Sequence, residues 1–207
     1  MPKTNAQTKP SRPASGDVTR ARLLSAAASL IAERGWSAVT TRAVAERAGV
    51  NQALVHYHFG SIDNLRREAV MARLTPAIEG LLEELLEDRP LTESIHRVMR
   101  LIDEFDLGAE TGVLMAEALL QAVRDPVLTE AMGGLTGSWS GPLEPRLELA
   151  QERGVIRGDI AAERLARLLA AFLDGYLVQR MADPDLDATA AADTLIALLS
   201  PPGEERP

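Results

Sequence analysis

Gly35, Gly49 and Gly60 punctuate the first third of the chain, and each closes a short run whose apolar residues recur at helical spacing. A glycine so placed can supply the left-handed stop that ends a helix, so these runs predict short helices rather than strands. The first run starts at Asp17, a capping candidate, and carries Leu24, Ala27, Ala28 and Ile31. Thr40 can cap a second helix with Val44, Ala45 and Ala48 inward, and Asn51 can cap a third that runs to Phe59. Ser61 can cap a fourth through Leu65, Ala69 and Val70. Two short helices joined by Gly49, Val50 and Asn51 make a helix-turn-helix unit.

The rest of the composition agrees with an all-α chain. Aromatic residues are 3% of the 207, and Ala, Leu and Val dominate the apolar set, a mixture that favours helix over strand. The absence of cysteine excludes disulfides, thiolate zinc sites, iron-sulfur clusters and cysteine nucleophiles. Residues 1–16 read as a disordered basic tail, because Pro2, Pro10, Pro13 and Gly16 interrupt any period. With no apolar leader and no run of 18 apolar residues, the expectation is a cytoplasmic protein with no membrane partner. Ten Lys or Arg face five acids in residues 1–70, a net of +5 that leaves −13 for the remainder. A basic head on an acidic body suggests that the head meets a polyanion.

Beyond the fourth helix the sequence predicts helices over 75–88, opened by Thr75-Pro76, then over 92–106 and 111–124. Asp125-Pro126 is expected to open a short helix to Met132. Gly133, Gly134, Gly137 and Gly141 mark a loosened stretch around Trp139, before a helix over 142–153. A turn over 154–159 precedes two Ala- and Leu-rich helices, 161–182 and 186–200, apolar enough to need two burial partners.

The stretch from Thr19 to Trp36, the run Thr40-Thr-Arg-Ala-Val-Ala-Glu-Arg-Ala-Gly-Val50, and His56-Tyr-His-Phe59-Gly-Ser61 with Leu65 resemble the N-terminal domain of TetR-family transcriptional regulators. The resemblance implies an all-α, homodimeric regulator, most simply a repressor that a small-molecule effector releases from a palindromic double-stranded DNA operator. It divides the chain into a DNA-binding domain over 17–62 and a ligand-binding and dimerisation domain over 63–207. It also implies a dimer seam on the last two helices, where a symmetric four-helix bundle supplies the second burial partner.

The resemblance assigns DNA contact to Thr41, Arg42, Gln52, Ala53, His56 and Tyr57. Gln52 and Ala53 follow the turn, where side chains reach base edges: glutamine can pair with adenine, and an alanine methyl can pack on thymine. Thr41 and Arg42 at a helix start suit phosphate. Two positions depart from the family pattern. His56 stands where tyrosine is usual, and Ile62 stands where lysine is usual, so Arg66, Arg67 or the tail with Lys3, Lys9 and Arg12 are expected to supply the missing charge.

Large apolar side chains suited to an effector pocket are Met99, Phe105, Met115, Trp139, Phe172 and Tyr176. No cofactor is implied. His56 and His58 stand two residues apart, on different faces of a helix, so no metal site is expected. The chain carries no phosphate loop, no dinucleotide glycine motif, no His-Glu-x-x-His and no Gly-x-Ser-x-Gly, and no enzyme is expected. The alternatives are a helical interaction protein that has lost DNA binding, and a small helical enzyme.

Overall fold

The structure, a computed structural model, describes residues 15–104 and 107–202. Nine α-helices stand among the described residues: α1 (Ser15–Arg34), α2 (Thr41–Ala48), α3 (Ala53–Phe59), α4 (Ile62–Leu86), α5 (Leu91–Glu104), α6 (Leu107–Ala122), α7 (Pro126–Glu152), α8 (Ala162–Ala182) and α9 (Ala188–Leu199), with a 3-10 turn over Trp36–Ala38. No helix is long and apolar enough to cross a membrane among the described residues.

The caps are largely those expected. Thr40 accepts a hydrogen bond from the Ala43 amide at 3.1 Å, and Ser61 Oγ accepts one from Asn64 at 3.1 Å. Asp125 Oδ1 caps α7 through the Val127 and Leu128 amides. Gly49 has φ 64° and Gly60 φ 71°, the left-handed region in which a Cβ is strained. Asp17 is not a cap: α1 begins two residues earlier, and the carboxylate lies in its first turn, where it faces the positive end of the helix dipole.

Two expected breaks do not occur. α4 continues through Pro76, because Leu65, Ala69, Val70, Leu74, Ile78, Leu81, Leu82 and Leu85 form one unbroken buried stripe. α7 likewise runs through Gly133, Gly134, Gly137, Gly141, Pro142 and Pro145, with Leu128, Met132, Leu135, Leu143 and Leu147 buried along its length. Burying one such leucine or isoleucine is worth about 1.5–3 kcal/mol, so a stripe of five or more outweighs a proline at about 3 kcal/mol.

α1 packs on α2, α4 and α6, while α3 lies against the start of α4. α4 therefore belongs to both halves: it packs on α1 and α3 of the small N-terminal bundle and also on α5, α6 and α7. α8 lies against α6 and α7, and α9 against α5. One continuous hydrophobic core runs from Leu23 to Leu199. Val55 and Phe59 are buried in it, and Trp36 is partly buried against it.

Candidate nucleic-acid interface and interhelical cavity

The turn between α2 and α3 is clamped from behind by α1. Arg22 donates through Nη2 to the Ala48 carbonyl, and a Cβ added to Gly49 would stand 3.1 Å from that guanidinium nitrogen. Only glycine leaves both the left-handed turn and the clamp undisturbed. Asn51 Oδ1 accepts from the Ala53 amide at 2.8 Å, one residue before the N-cap position Gln52, which has no side-chain cap of its own.

α3 then separates its side chains cleanly. Val55 and Phe59 turn to the core, while Gln52, Ala53, His56 and Tyr57 are all exposed. Tyr57 is 80% exposed, and its ring stands nearly perpendicular to that of His58, with centroids 5.0 Å apart. His56 Nδ1 lies 3.3 Å from the Gly60 carbonyl oxygen. Thr41 and Arg42 stand at the N-terminus of α2, Thr41 partly buried and Arg42 exposed. Five of the six candidate residues are thus exposed, and Thr41 is partly buried.

The basic character of this region is mostly used internally. Arg20 pairs with Glu68 and lies 5.2 Å over the Phe59 ring, and Arg47 pairs with Glu33 at 2.6 Å. Arg66 donates from Nε and Nη2 to the Val39 carbonyl at 3.0 and 2.7 Å and from Nη1 to Asp63. Arg67 donates from Nε to Asp125 Oδ2 at 2.6 Å. The expectation that Arg66 and Arg67 replace the charge missing at Ile62 is therefore corrected. Both guanidinium groups are held by partners inside the protein, and Ile62 packs its side chain against the core. Among the described residues before 70, Arg34 and Arg42 are the arginines with neither a hydrogen bond nor an ion pair. Lys3, Lys9 and Arg12 lie outside the described residues.

A cavity of about 250 Å³ opens between α4, α6, α7 and α8. Ile78, Met115, Met132 and Leu135 supply its apolar walls, Ala170 leaves room on α8, and Asp174 is its ionisable side chain. Of the expected pocket residues, Met115 lines this cavity. Met99 is buried in the core on α5. Tyr176 stacks on Phe172 with centroids 6.2 Å apart and donates its hydroxyl to the Leu186 carbonyl, holding the α8–α9 corner. Phe105 and the side chain of Trp139 lie outside the described residues. His96 joins α5 to α9 through Nε2 and Asp193 at 2.8 Å. No cluster of three or more metal-binding side chains occurs among the described residues.

The cavity wall is joined to the N-terminal bundle at two places. Ala122 and Thr129 line the cavity and bracket Asp125, whose backbone carbonyl accepts from Thr129 Oγ1 at 3.0 Å. The Asp125 carboxylate holds Arg67 of α4, and that hydrogen bond is the main reason its pKa lies below the ordinary aspartate value. On α6, Glu117 accepts from the Trp36 amide at 3.2 Å. Sequence reasoning could not find these links, since they span 58 and 81 residues.

A helix-turn-helix with an outward reading face, carried on a larger helical body with its own cavity, defines a DNA-binding regulator with an effector-type domain. Residues 23–69 match the family described as bacterial regulatory proteins, tetR family, and residues 96–200 match the BetI-type transcriptional repressor C-terminal domain. The chain belongs to the TetR family of transcriptional regulators. It is similar to the nicotine-responsive transcriptional repressor HdnoR of Paenarthrobacter nicotinovorans, at 26% identity over 166 residues that cover 80% of this chain and 84% of the relative. Among solved structures it is similar to Salmonella enterica GusR, at 24% identity and a TM-score of 0.73, covering 87% of this chain and 95% of that one. A transcriptional regulator from Saccharomonospora viridis, in complex with choline, matches at 24% identity and a TM-score of 0.72, covering 86% and 94%.

Proposed function

We propose that the protein is a homodimeric, cytoplasmic repressor whose grip on a palindromic operator is released when a small molecule enters the cavity between α4, α6, α7 and α8. In this reading residues 17–62 are the DNA-reading unit and residues 63–207 bind effector and partner subunit. Gln52 and Ala53 meet base edges, Arg42 and Thr41 meet phosphate, and His56 and Tyr57 flank them on the backbone.

The observation that carries the reading is the Arg67–Asp125 pair. It joins the start of α4, on which α3 rests, to the corner between α6 and α7 that forms the cavity wall. A ligand that moves this corner changes the placement of α4 and hence of α3. In a dimer the two recognition helices must fit major grooves about 34–36 Å apart, so a small rotation of each favours a state that no longer matches the operator. The nicotine response of HdnoR and the choline held by the Saccharomonospora viridis regulator support a small-molecule effector. The seam is assigned to α8 and α9, which expose Leu168, Val178 and Leu198.

A gel shift against the DNA upstream of the protein's own gene tests the reading. Binding of a two-fold symmetric site, lost in Gln52→Ala, supports it. Retention of the dimer with no preference for any DNA sequence would replace it with a helical interaction protein.

A further inference from the structure

The following inference rests on the reading of the cavity as the effector site and specifies the effector's chemistry. The walls are apolar except for Asp174, partway along α8, and Thr129 in the first turns of α7. Asp174 is partly buried, and among the described residues no hydrogen bond or ion pair to its carboxylate is found. Some other acids of this body hold cations, as Asp125 does Arg67, Glu84 does Arg89 and Arg97, and Asp159 does Arg157.

Burial without a compensating partner pushes the Asp174 carboxyl above its ordinary pKa. An apolar or amide side chain at this position would avoid the desolvation of a charge, so the carboxylate suits a partner that arrives from outside. Thr129 offers the same polarity. Its hydroxyl proton is directed at the Ala122 and Asp125 carbonyls, which leaves the oxygen available to a ligand only as an acceptor. The two polar side chains of the cavity therefore both call for a donor.

We propose that the cavity takes a small protonated amine with an apolar body, its ammonium paired with Asp174 and its hydrocarbon part against Ile78, Met115 and Leu135. The absence of a Cβ at Gly133 and the small side chain of Ala170 leave room for the body beside the acid. A volume of about 250 Å³ lies below the range of drug-sized sites and suits a ligand of roughly ten non-hydrogen atoms. A carboxylate, phosphate or sugar acid would set its charge against Asp174 and is rejected.

The test is calorimetric titration of the full-length protein with three amines, phenethylammonium, hexylammonium and cyclohexylmethylammonium, each beside the alcohol of the same shape. The wild type is expected to bind at least one amine about tenfold or more tightly than its alcohol. In Asp174→Asn that preference is expected to vanish, while the circular dichroism and melting temperature show a folded protein. Equal binding of amine and alcohol, survival of the preference in Asp174→Asn, or binding of none of the amines would overturn the proposal. Failure of the underlying reading shows differently, as tight amine binding that leaves operator affinity unchanged. Operator release by the neutral alcohols would retain the effector site and remove only its demand for a cation.

Discussion

Asp125 serves two helices at once: Oδ2 accepts Arg67 Nε of α4 at 2.6 Å, while Oδ1 accepts the Val127 and Leu128 amides that open α7. One carboxylate thus fixes the start of a cavity-lining helix and the position of the helix beneath the DNA-reading unit. Capping and coupling can be separated by substitution, because asparagine keeps an acceptor for the amides but loses the charge that holds the guanidinium.

Asp125→Asn is therefore expected to keep most of the stability and to weaken the effect of ligand on operator affinity. Asp125→Ala should lose roughly a further 0.5–2 kcal/mol as the cap goes. Denaturant melts together with operator titrations, with and without effector, distinguish the two. Equal stability of the two variants would show that the cap contributes nothing.

The pH dependence of the same pair has a definite sign. Arg67 lowers the Asp125 pKa in the folded state, so the stabilisation is present above the ordinary aspartate value of 3.8 and is lost as pH falls through the lower folded value. Melting temperatures from pH 6 down to pH 2 should fall less steeply in Arg67→Ala than in the wild type over that acid window. Parallel curves would mean that the pair contributes no measurable linkage.

Filling the cavity should separate DNA binding from ligand response. A side chain at Gly133 meets no atom within 4 Å of its Cβ, and the residue lines the cavity from within α7. Gly133→Leu is expected to gain roughly 0.5–1 kcal/mol from helix propensity, to bind the operator as the wild type does and to lose its effector response. A variant that still responds to effector would place the site elsewhere.

The seam has a suitable probe in Leu198, which is 64% exposed in the protomer. With the proposed seam on α9, Leu198→Arg is expected to leave the fold of each protomer intact but to put an unpaired charge into the dimer interface. Sedimentation should show monomers and the operator titration a loss of affinity. Leu177 cannot serve the same purpose, since it is 2% exposed within its own protomer and an arginine there attacks the core. A Leu198→Arg protein that remains dimeric would move the seam away from α9.

The N-terminal bundle was legible because its signals are local. Thr40, Gly49, Asn51 and Ser61 act on residues within five positions of themselves, and Val55 and Phe59 face inward by helical period alone. α4 and α7 were misdivided because Pro76 and the glycines of α7 are also local signals, and there the buried stripe outweighs them. The net charge of the first 70 residues pointed to a polyanion, as the family bears out, but not to which cations are free to meet it. It is a sum over the chain, whereas Arg20, Arg47, Arg66 and Arg67 each hold a partner that only the fold brings near. Asp174 carries no local signal, because its place beside a cavity is set by α4, α6 and α7, which only the fold brings to α8.

The proposed base reading by α3 and backbone hold by the start of α2 are separated by fluorescence-anisotropy titrations of Gln52→Ala and Arg42→Ala on the footprinted operator and on random DNA at several salt concentrations. Gln52→Ala should cost roughly 1–3 kcal/mol on the operator alone and relax the preference at one base pair in each half-site. Arg42→Ala should weaken both DNAs alike and make the salt slope shallower by about one unit. Equal losses on operator and random DNA for both variants, or no loss for either, would contradict the account.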